Sequence, residues 1–404
     1  MANESIIGTS SEAEVTLPAD MVLDVRGLKT NFYTYEGVVR ALDGVTFQLK
    51  TGDTLALVGE TGCGKSVTAK SIMRLVDSPG RIEEGQILFN DIDDSGEIKT
   101  IDLLEISDDE MRHIRGNKIA IVFQDPATYP NPVFRVGDQI AEVIMLHQDL
   151  SLEILEEKIR SLEEAYANDP DSDMAPEIRE RIEQYQSQLD NPPKPTEKEA
   201  KQYAKKKAIE VLNLVRMPSA AEIANQYPHE LSGGMRQRAM IAMSLSSNPR
   251  ILIADEATTA LDVTVQAQVL KLLNDLKSEL DASIIIITHD LGVVAETCTM
   301  VAVMYAGVVV EYASTEELFN DPIHPYTTGL LRAIPKLTEK TERLLQIMGT
   351  VPNLINPPTG CRFHPRCEFA TQQCSEERPP REEMKPGHFV ECWHPQGSIA
   401  GRKK

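Results

Sequence analysis

Eight consecutive residues, Gly59-Glu60-Thr61-Gly62-Cys63-Gly64-Lys65-Ser66, restrict the folds open to this chain more than any other stretch. A short apolar run, 54–58, leads into them, and an apolar-periodic segment, 67–75 beginning at Val67, follows. A buried strand therefore runs into a tight glycine turn and then into a helix. This is the pattern of a phosphate-binding loop: glycines leave backbone N–H groups bare to wrap a β-phosphate, Lys65 reaches the β- and γ-oxygens, and the Ser66 hydroxyl takes Mg²⁺. Average residue frequencies give such a match by chance in about one chain in a hundred of this length. Cys63 reads as a small loop residue rather than a reactive thiol.

Further buried-type strands are predicted at 119–123, 251–254 and 283–288, with helical segments between them. Strands alternating with helices imply a parallel sheet covered on both faces, so the class is α/β. Ahead of the loop, 22–28 and 45–49 alternate as antiparallel strands joined by a loop carrying Tyr33, Tyr35 and Gly37. Residues 151–195 interrupt the α/β pattern. Leu152, Leu155, Ile159, Leu162 and Tyr166, then Ile178, Ile182, Tyr185 and Leu189, recur at helical spacing, which predicts a helical hairpin with narrow apolar seams. A partner-docking arm and a tolerated surface insertion both fit it. Pro192, Pro193 and Pro195 end the hairpin, and Thr196 with Glu199 forms a capping box for the next helix. From Glu316 onward Pro, His and Cys become frequent and periodicity fades, which sets a domain boundary there.

The chain has 404 residues, enough for two or three domains with real cores. Its apolar runs at 283–288 and 300–310 are too short to cross a bilayer. Residues 1–20 are polar and acidic without the apolar segment of a signal peptide, so a cytoplasmic protein is expected, reaching a membrane only through partners. A net charge of −21 argues against nucleic acid as a partner.

Three more stretches carry chemistry. Leu231-Ser232-Gly233-Gly234-Met235-Arg236-Gln237-Arg238 opens a helix with bare N–H groups and the positive helix end aimed at an anion. Since residues 59–66 already supply a phosphate cradle, this second clamp predicts a nucleotide carried by a partner. The strand 251–254 ends in Asp255, placed to hold Mg²⁺ through water, and Glu256, placed to polarise an attacking water. Gln124 and His289 each follow a predicted strand, where they reach the Mg²⁺ or water and the γ-phosphate respectively.

In this order the motifs resemble the ATP-binding cassette (ABC) ATPases over about residues 22–310. The resemblance implies a P-loop NTPase core with an antiparallel β subdomain and a helical subdomain of about 124–227, here carrying the insertion of about 149–196. It makes Gly59, Glu60, Thr61, Gly62, Cys63, Gly64, Lys65, Ser66 and Val67 the Walker A contacts of ATP, with Mg²⁺ held by Ser66, Gln124 and Asp255. Glu256, His289 and Gln124 become the catalytic group, and Ala260-Leu261-Asp262 the D-loop. Tyr35 resembles the aromatic that stacks on adenine, with Tyr33 close beside it. Ser232, Gly233, Gly234 and Gln237 form the signature that closes on ATP bound by the other subunit of a head-to-tail dimer.

Farther on, His324-Pro325-Tyr326-Thr327 and Gly360-Cys361-Arg362-Phe363-His364-Pro365-Arg366-Cys367 resemble the C-terminal extension of oligopeptide and dipeptide importer ATPases of the D type. Nickel importers of the same group share much of the pattern, and a soluble ABC ATPase acting on ribosomes or DNA is the alternative outside it. The resemblance implies a homologous F-type ATPase subunit as partner, two integral membrane permease subunits, an extracytoplasmic peptide-binding protein reached through the complex, and a place on the cytoplasmic face of the membrane. Cys361, Cys367, Cys374 and Cys392 are spaced C-x5-C-x6-C-x17-C. Disulfides are disfavoured in a reducing compartment, and zinc usually shows a tighter Cys pair, although His364, His388 and His394 keep zinc open beside free thiols. Four thiolates without tight pairs suit a [4Fe–4S] cluster, the expectation that the importer resemblance also carries.

Overall fold

A computed structural model describes residues 16–92, 96–124, 130–170, 174–257, 263–280, 282–333 and 347–399. The chain opens with two long antiparallel strands, β1 (Met21–Thr34) and β2 (Gly37–Lys50), whose turn is only Tyr35 and Glu36. Most of the predicted loop is therefore strand, with Tyr33 paired to Val38. The reason is the run of β-formers that continues through Phe32, Tyr33, Val38 and Val39. Next come β3 (Thr54–Val58), α1 (Lys65–Ile72), β4 (Gly80–Ile92), β5 (Ile98–Asp102), α2 (Asp108–Ile114) and β6 (Ile119–Val122). Strands β4 and β5 join the first pair in a four-stranded antiparallel sheet of order β2-β1-β4-β5.

A helical layer follows: α3 (Val136–His147), α4 (Ser151–Asn168), α5 (Ala175–Gln186), α6 (Glu197–Leu214), α7 (Ala220–Ile223) and α8 (Gly233–Leu245). The chain then alternates through β7 (Ile251–Asp255), α9 (Val263–Leu280), β8 (Ser283–Thr288), α10 (Leu291–Thr297), β9 (Met300–Tyr305), β10 (Val308–Ser314), α11 (Thr315–Asn320) and α12 (Pro325–Arg332). It closes with α13 (Gln372–Glu376), β11 (Arg381–Lys385) and β12 (His388–Glu391).

The second sheet has the order β11-β12-β10-β9-β3-β8-β7-β6, with β9, β3, β8, β7 and β6 parallel. Its middle strands are buried on both faces, and alternation divides their side chains between two cores. Leu55, Leu57, Ile253 and Ile285 pack toward Val25, Phe47 and Phe89 of the antiparallel sheet. Ala56, Val58, Leu252 and Ile286 pack toward Ile140, Leu212 and Ile241 of the helical layer. Each fully buried Leu, Ile or Phe contributes about 1.5–3 kcal/mol, so both faces of the sheet are held firmly.

The hairpin α4–α5 forms, with the Thr196–Glu199 capping box at the start of α6. Its inner residues Ile154, Leu155 and Ile159 are buried, whereas Leu152 and Leu189 stay exposed. Ion pairs Lys158–Glu199 at 2.5 Å and Lys207–Glu153 at 2.7 Å tie α4 to α6. The tail is more regular than its sequence suggests, because β12 pairs with β10 through Glu311↔Val390 and Tyr312↔Phe389. Glu311 is fully buried there, accepting from the Ile323 and His324 amides at 2.8 and 2.9 Å and contacting His388 Nε2 at 2.8 Å. Two short, charge-rich strands give too little periodicity to be read in advance.

Candidate active site

Strands β3, β6, β7 and β8 run parallel, so the segments leaving their carboxyl ends gather on one edge of the sheet, where open α/β sheets bind ligands. The loop 59–66 leaves β3. At Gly64, φ is +108°, and a Cβ would meet the Ala41 carbonyl at 2.9 Å and Leu42 Cδ2 at 2.8 Å. A Cβ on Gly59 would strike the Met304 carbonyl. The loop is thus pressed against β2 and β9, and only glycine fits. Lys65, almost fully buried, donates Nζ to the carbonyls of Gly59 at 2.8 Å and Glu60 at 3.2 Å, which holds its ammonium over the loop. Thr61 and Gly62 lie exposed, and Val67 packs half-buried against the core. Burial pushes the Cys63 thiol up, in keeping with a packing residue.

Behind the loop, Ser66 Oγ donates to Asp255 Oδ1 at 2.9 Å. Burial raises the Asp255 carboxyl above its ordinary range, with Ser66 opposing. These hard oxygen donors suit Mg²⁺, which keeps several waters and accepts phosphate oxygens. At Glu256 the backbone turns to φ +46°, its N–H donating to the Ile287 carbonyl at 3.0 Å. Its carboxylate accepts from Gln124 Nε2 at 2.6 Å and faces His289 Nδ1 at 3.9 Å. The turn carrying His289 is fixed by Asp290, whose N–H donates to Thr288 Oγ1 at 3.0 Å and whose side chain accepts from Gly292 N at 2.8 Å. Residues from four strand ends thus meet around Glu256 and Ser66.

The segment 231–238 lies elsewhere. Ser232 caps α8, its Oγ accepting from Met235 N at 3.4 Å, with Gly233 and Gly234 forming the first helical positions. Gln237 is buried, and its Nε2 has no hydrogen-bond partner among the described residues. Among the described residues no hydrogen bond or ion pair joins 231–238 to 59–66. Tyr35 stands at the β1–β2 turn, 98% exposed, while Tyr33 donates its hydroxyl to Glu83 at 2.7 Å beneath Arg81. Ala260, Leu261 and Asp262 lie outside the described residues.

Sequence reasoning missed that the tail touches this site. Arg366 grips the Glu60 carboxylate and Tyr326 accepts the Glu60 amide, 306 and 266 residues away. No local pattern signals a pairing at that separation.

Residues 42–259 match the family model "ABC transporter", which is more than half of the chain. The chain belongs to the ABC transporter family. A second model, "Oligopeptide/dipeptide transporter, C-terminal region", matches residues 310–374. Among curated relatives of this cassette, a probable peptide ABC transporter ATP-binding protein of Sinorhizobium fredii is 45% identical over 93% of this chain and 95% of its own length. The oligopeptide transport ATP-binding protein OppD of Bacillus subtilis is 43% identical, over 93% of this chain and 89% of its own. The dipeptide transport ATP-binding protein DppD of Lactococcus lactis is 42% identical, over 93% and 91%. In fold the ABC chain is similar to the dimeric bacterial ABC transporter cassette MJ0796, with a TM-score of 0.53, 22% identity, and coverage of 72% of this chain and 98% of that one. ATP and Mg²⁺ are accordingly the expected ligands of an ABC ATPase site.

The iron–sulfur expectation does not survive. Among the described residues no three Cys, His, Asp or Glu side chains converge as ligands of a metal ion, and Cys361, Cys367, Cys374 and Cys392 all lie within those residues. Burial pushes the Cys361 thiol up to about 11 and the Cys392 thiol up to about 12. Their sulfurs take local contacts instead: His394 N donates to Cys392 Sγ at 3.3 Å, and Thr371 Oγ1 lies 3.5 Å from Cys374 Sγ. The zinc alternative fails on the same geometry.

Proposed function

We propose that this chain is an ATP-hydrolysing subunit of an ABC importer that drives uptake of oligopeptides or dipeptides across the cytoplasmic membrane. The observation that carries the proposal is the meeting of Gln124, Glu256 and His289 beside the Ser66–Asp255 pair at the mouth of the phosphate loop. The peptide class is supported by the match of 310–374 and by the names of the relatives. Lys65 and the loop amides after Glu60 bind the β- and γ-phosphates of ATP, and Tyr35 stacks on its adenine. Ser66, Asp255 and Gln124 would hold Mg²⁺, which would supply positive charge to the transferring phosphoryl group. Glu256 orients a water against the γ-phosphorus and accepts its proton as the bond to the β-phosphate oxygen breaks, giving ADP and phosphate. His289, facing Glu256 at 3.9 Å, would contact the γ-phosphate.

Ser232, Gly233, Gly234 and Gln237 serve the nucleotide of the partner, which we take to be a homologous F-type cassette subunit in a head-to-tail dimer. Closing that dimer pulls on two integral permease subunits near Gln124, with an extracytoplasmic peptide-binding protein delivering the cargo. No helix among the described residues is long and apolar enough to cross a membrane, and the likeness to transport ATP-binding proteins supports a peripheral position on the cytoplasmic face. The decisive experiment is co-purification from membranes combined with Glu256→Gln. Two integral subunits should accompany the chain, and the variant should bind ATP while losing about 100-fold or more of turnover and, with it, peptide uptake. Undiminished uptake in the variant, or the lack of any membrane partner, overturns the reading.

A further inference from the structure

Two of the three polar handles of Glu60, a loop residue next to Gly59, are held from the C-terminal extension. Arg366 donates Nη1 to Glu60 Oε2 at 2.7 Å and Nη2 to Oε1 at 3.0 Å, a fork-on-fork pair. The Arg366 side chain is 5% exposed, and its remaining donors are used as well. Nε reaches the Met348 carbonyl at 2.9 Å, Nη1 the Tyr305 hydroxyl at 3.3 Å, and Nη2 the Ile347 carbonyl at 3.3 Å. The Glu60 amide donates to Tyr326 Oη at 3.0 Å. Tyr326 is fully buried, its ring 4.7 Å from Tyr305 and 5.3 Å from Phe363 between centroids. On its other side, the Glu60 carbonyl helps to hold the Lys65 ammonium.

We propose that Arg366 and Tyr326 are positioning residues of the nucleotide site, through which the C-terminal extension sets the shape of the phosphate loop by fixing Glu60. A glycine-rich loop samples many conformations, and binding phosphate requires one of them. Holding Glu60 by its amide and its carboxylate orders the start of the loop before ATP arrives, so less ordering entropy opposes binding. A lysine at 366 supplies a point charge but not the fork. The proposal rests on the nucleotide-binding part of the function above and is independent of the cargo.

The test uses the full-length protein and measures KM and kcat for MgATP in Arg366→Ala, Arg366→Lys, Tyr326→Phe, Glu60→Ala and the Glu60→Ala/Arg366→Ala double variant. Arg366→Ala should raise KM about fivefold or more with kcat within about twofold, since only loop ordering is lost, and Glu60→Ala should raise KM by a similar factor. The double variant should be no worse than either single, the signature of one coupled pair. Arg366→Lys should fail to restore the parent KM, and Tyr326→Phe should raise it by a smaller factor. Additive effects of Arg366→Ala and Glu60→Ala, or an unchanged KM in both Arg366→Ala and Tyr326→Phe, overturn the proposal. If Arg366→Ala does not fold, Tyr326→Phe, which removes one oxygen and keeps the ring, decides by the same KM. Lys65→Ala separates the levels. Unimpaired ATP binding in that variant removes the nucleotide reading and this proposal together, whereas Lys65-dependent binding with unchanged KM in the tail variants removes this proposal alone.

Discussion

Ser66 and Asp255 are 189 residues apart in the chain, yet the hydroxyl of one donates to the carboxylate of the other at 2.9 Å. The first lies in the opening turn of α1 and the second ends β7, so their meeting measures whether the loop and the sheet edge are in register. Asp255→Asn keeps the shape of the side chain and removes the charge that draws a divalent cation. ATPase activity should fall about 100-fold or more, and the Mg²⁺ concentration for half-maximal activity should rise. Ser66→Ala should shift the Mg²⁺ requirement in the same direction by a smaller factor. A titration of rate against Mg²⁺ reads both.

The helix end at Ser232 makes no bond to the loop 59–66 within its own chain among the described residues. Ser232→Arg places a bulky cation where a phosphate of the partner's nucleotide is expected. ATP binding by this chain alone should change less than about twofold, while turnover of the assembled transporter should fall tenfold or more. Equilibrium binding of a fluorescent ATP analogue beside transport-coupled ATPase separates the two effects. Unaltered transport would remove the argument for a facing subunit.

Burial pushes His324 down from its ordinary 6.5 to about 4, so the folded protein keeps the ring neutral where an unfolded chain would protonate it. A base with a depressed folded value contributes fully above pH 6.5, and the contribution is lost as pH falls toward 4. The loss amounts to about 3 kcal/mol at the acid end. Because His324 Nδ1 accepts from Tyr326 N at 3.0 Å, His324→Asn retains an acceptor for that amide without the titration. Between pH 6.5 and 4, Tm should decline more steeply in the parent than in this variant. Parallel declines would assign the acid sensitivity to other groups.

What the sequence disclosed depended on whether a feature was contiguous. Residues 54–66 announce themselves because strand, glycines, lysine and hydroxyl follow one another, and the apolar strands around them could be read from composition. The bond between Ser66 and Asp255, and the approach of Gln124 and His289 to Glu256, arise only once parallel strands carry all their carboxyl ends to one edge. The link of Glu60 to Arg366 was invisible for the same reason at greater range. The cysteine reading went wrong because spacing alone does not determine whether thiols converge as ligands of one metal site. The strand extension through Tyr33 was missed because the turn shrank to two residues, Tyr35 and Glu36.

Strand β12 lies along β10 and β11 beyond it, so the tail covers β10 and moves the edge of the principal sheet out to the short, charge-rich β11. Without those strands, β10 would offer unpaired N–H and C=O groups around Glu311 and Tyr312, the residues that β12 pairs, to any other extended chain. A chain cut after the cassette would therefore carry an adhesive rim. Its first failing in the cell would be clumping, before any question of fuel consumption arose.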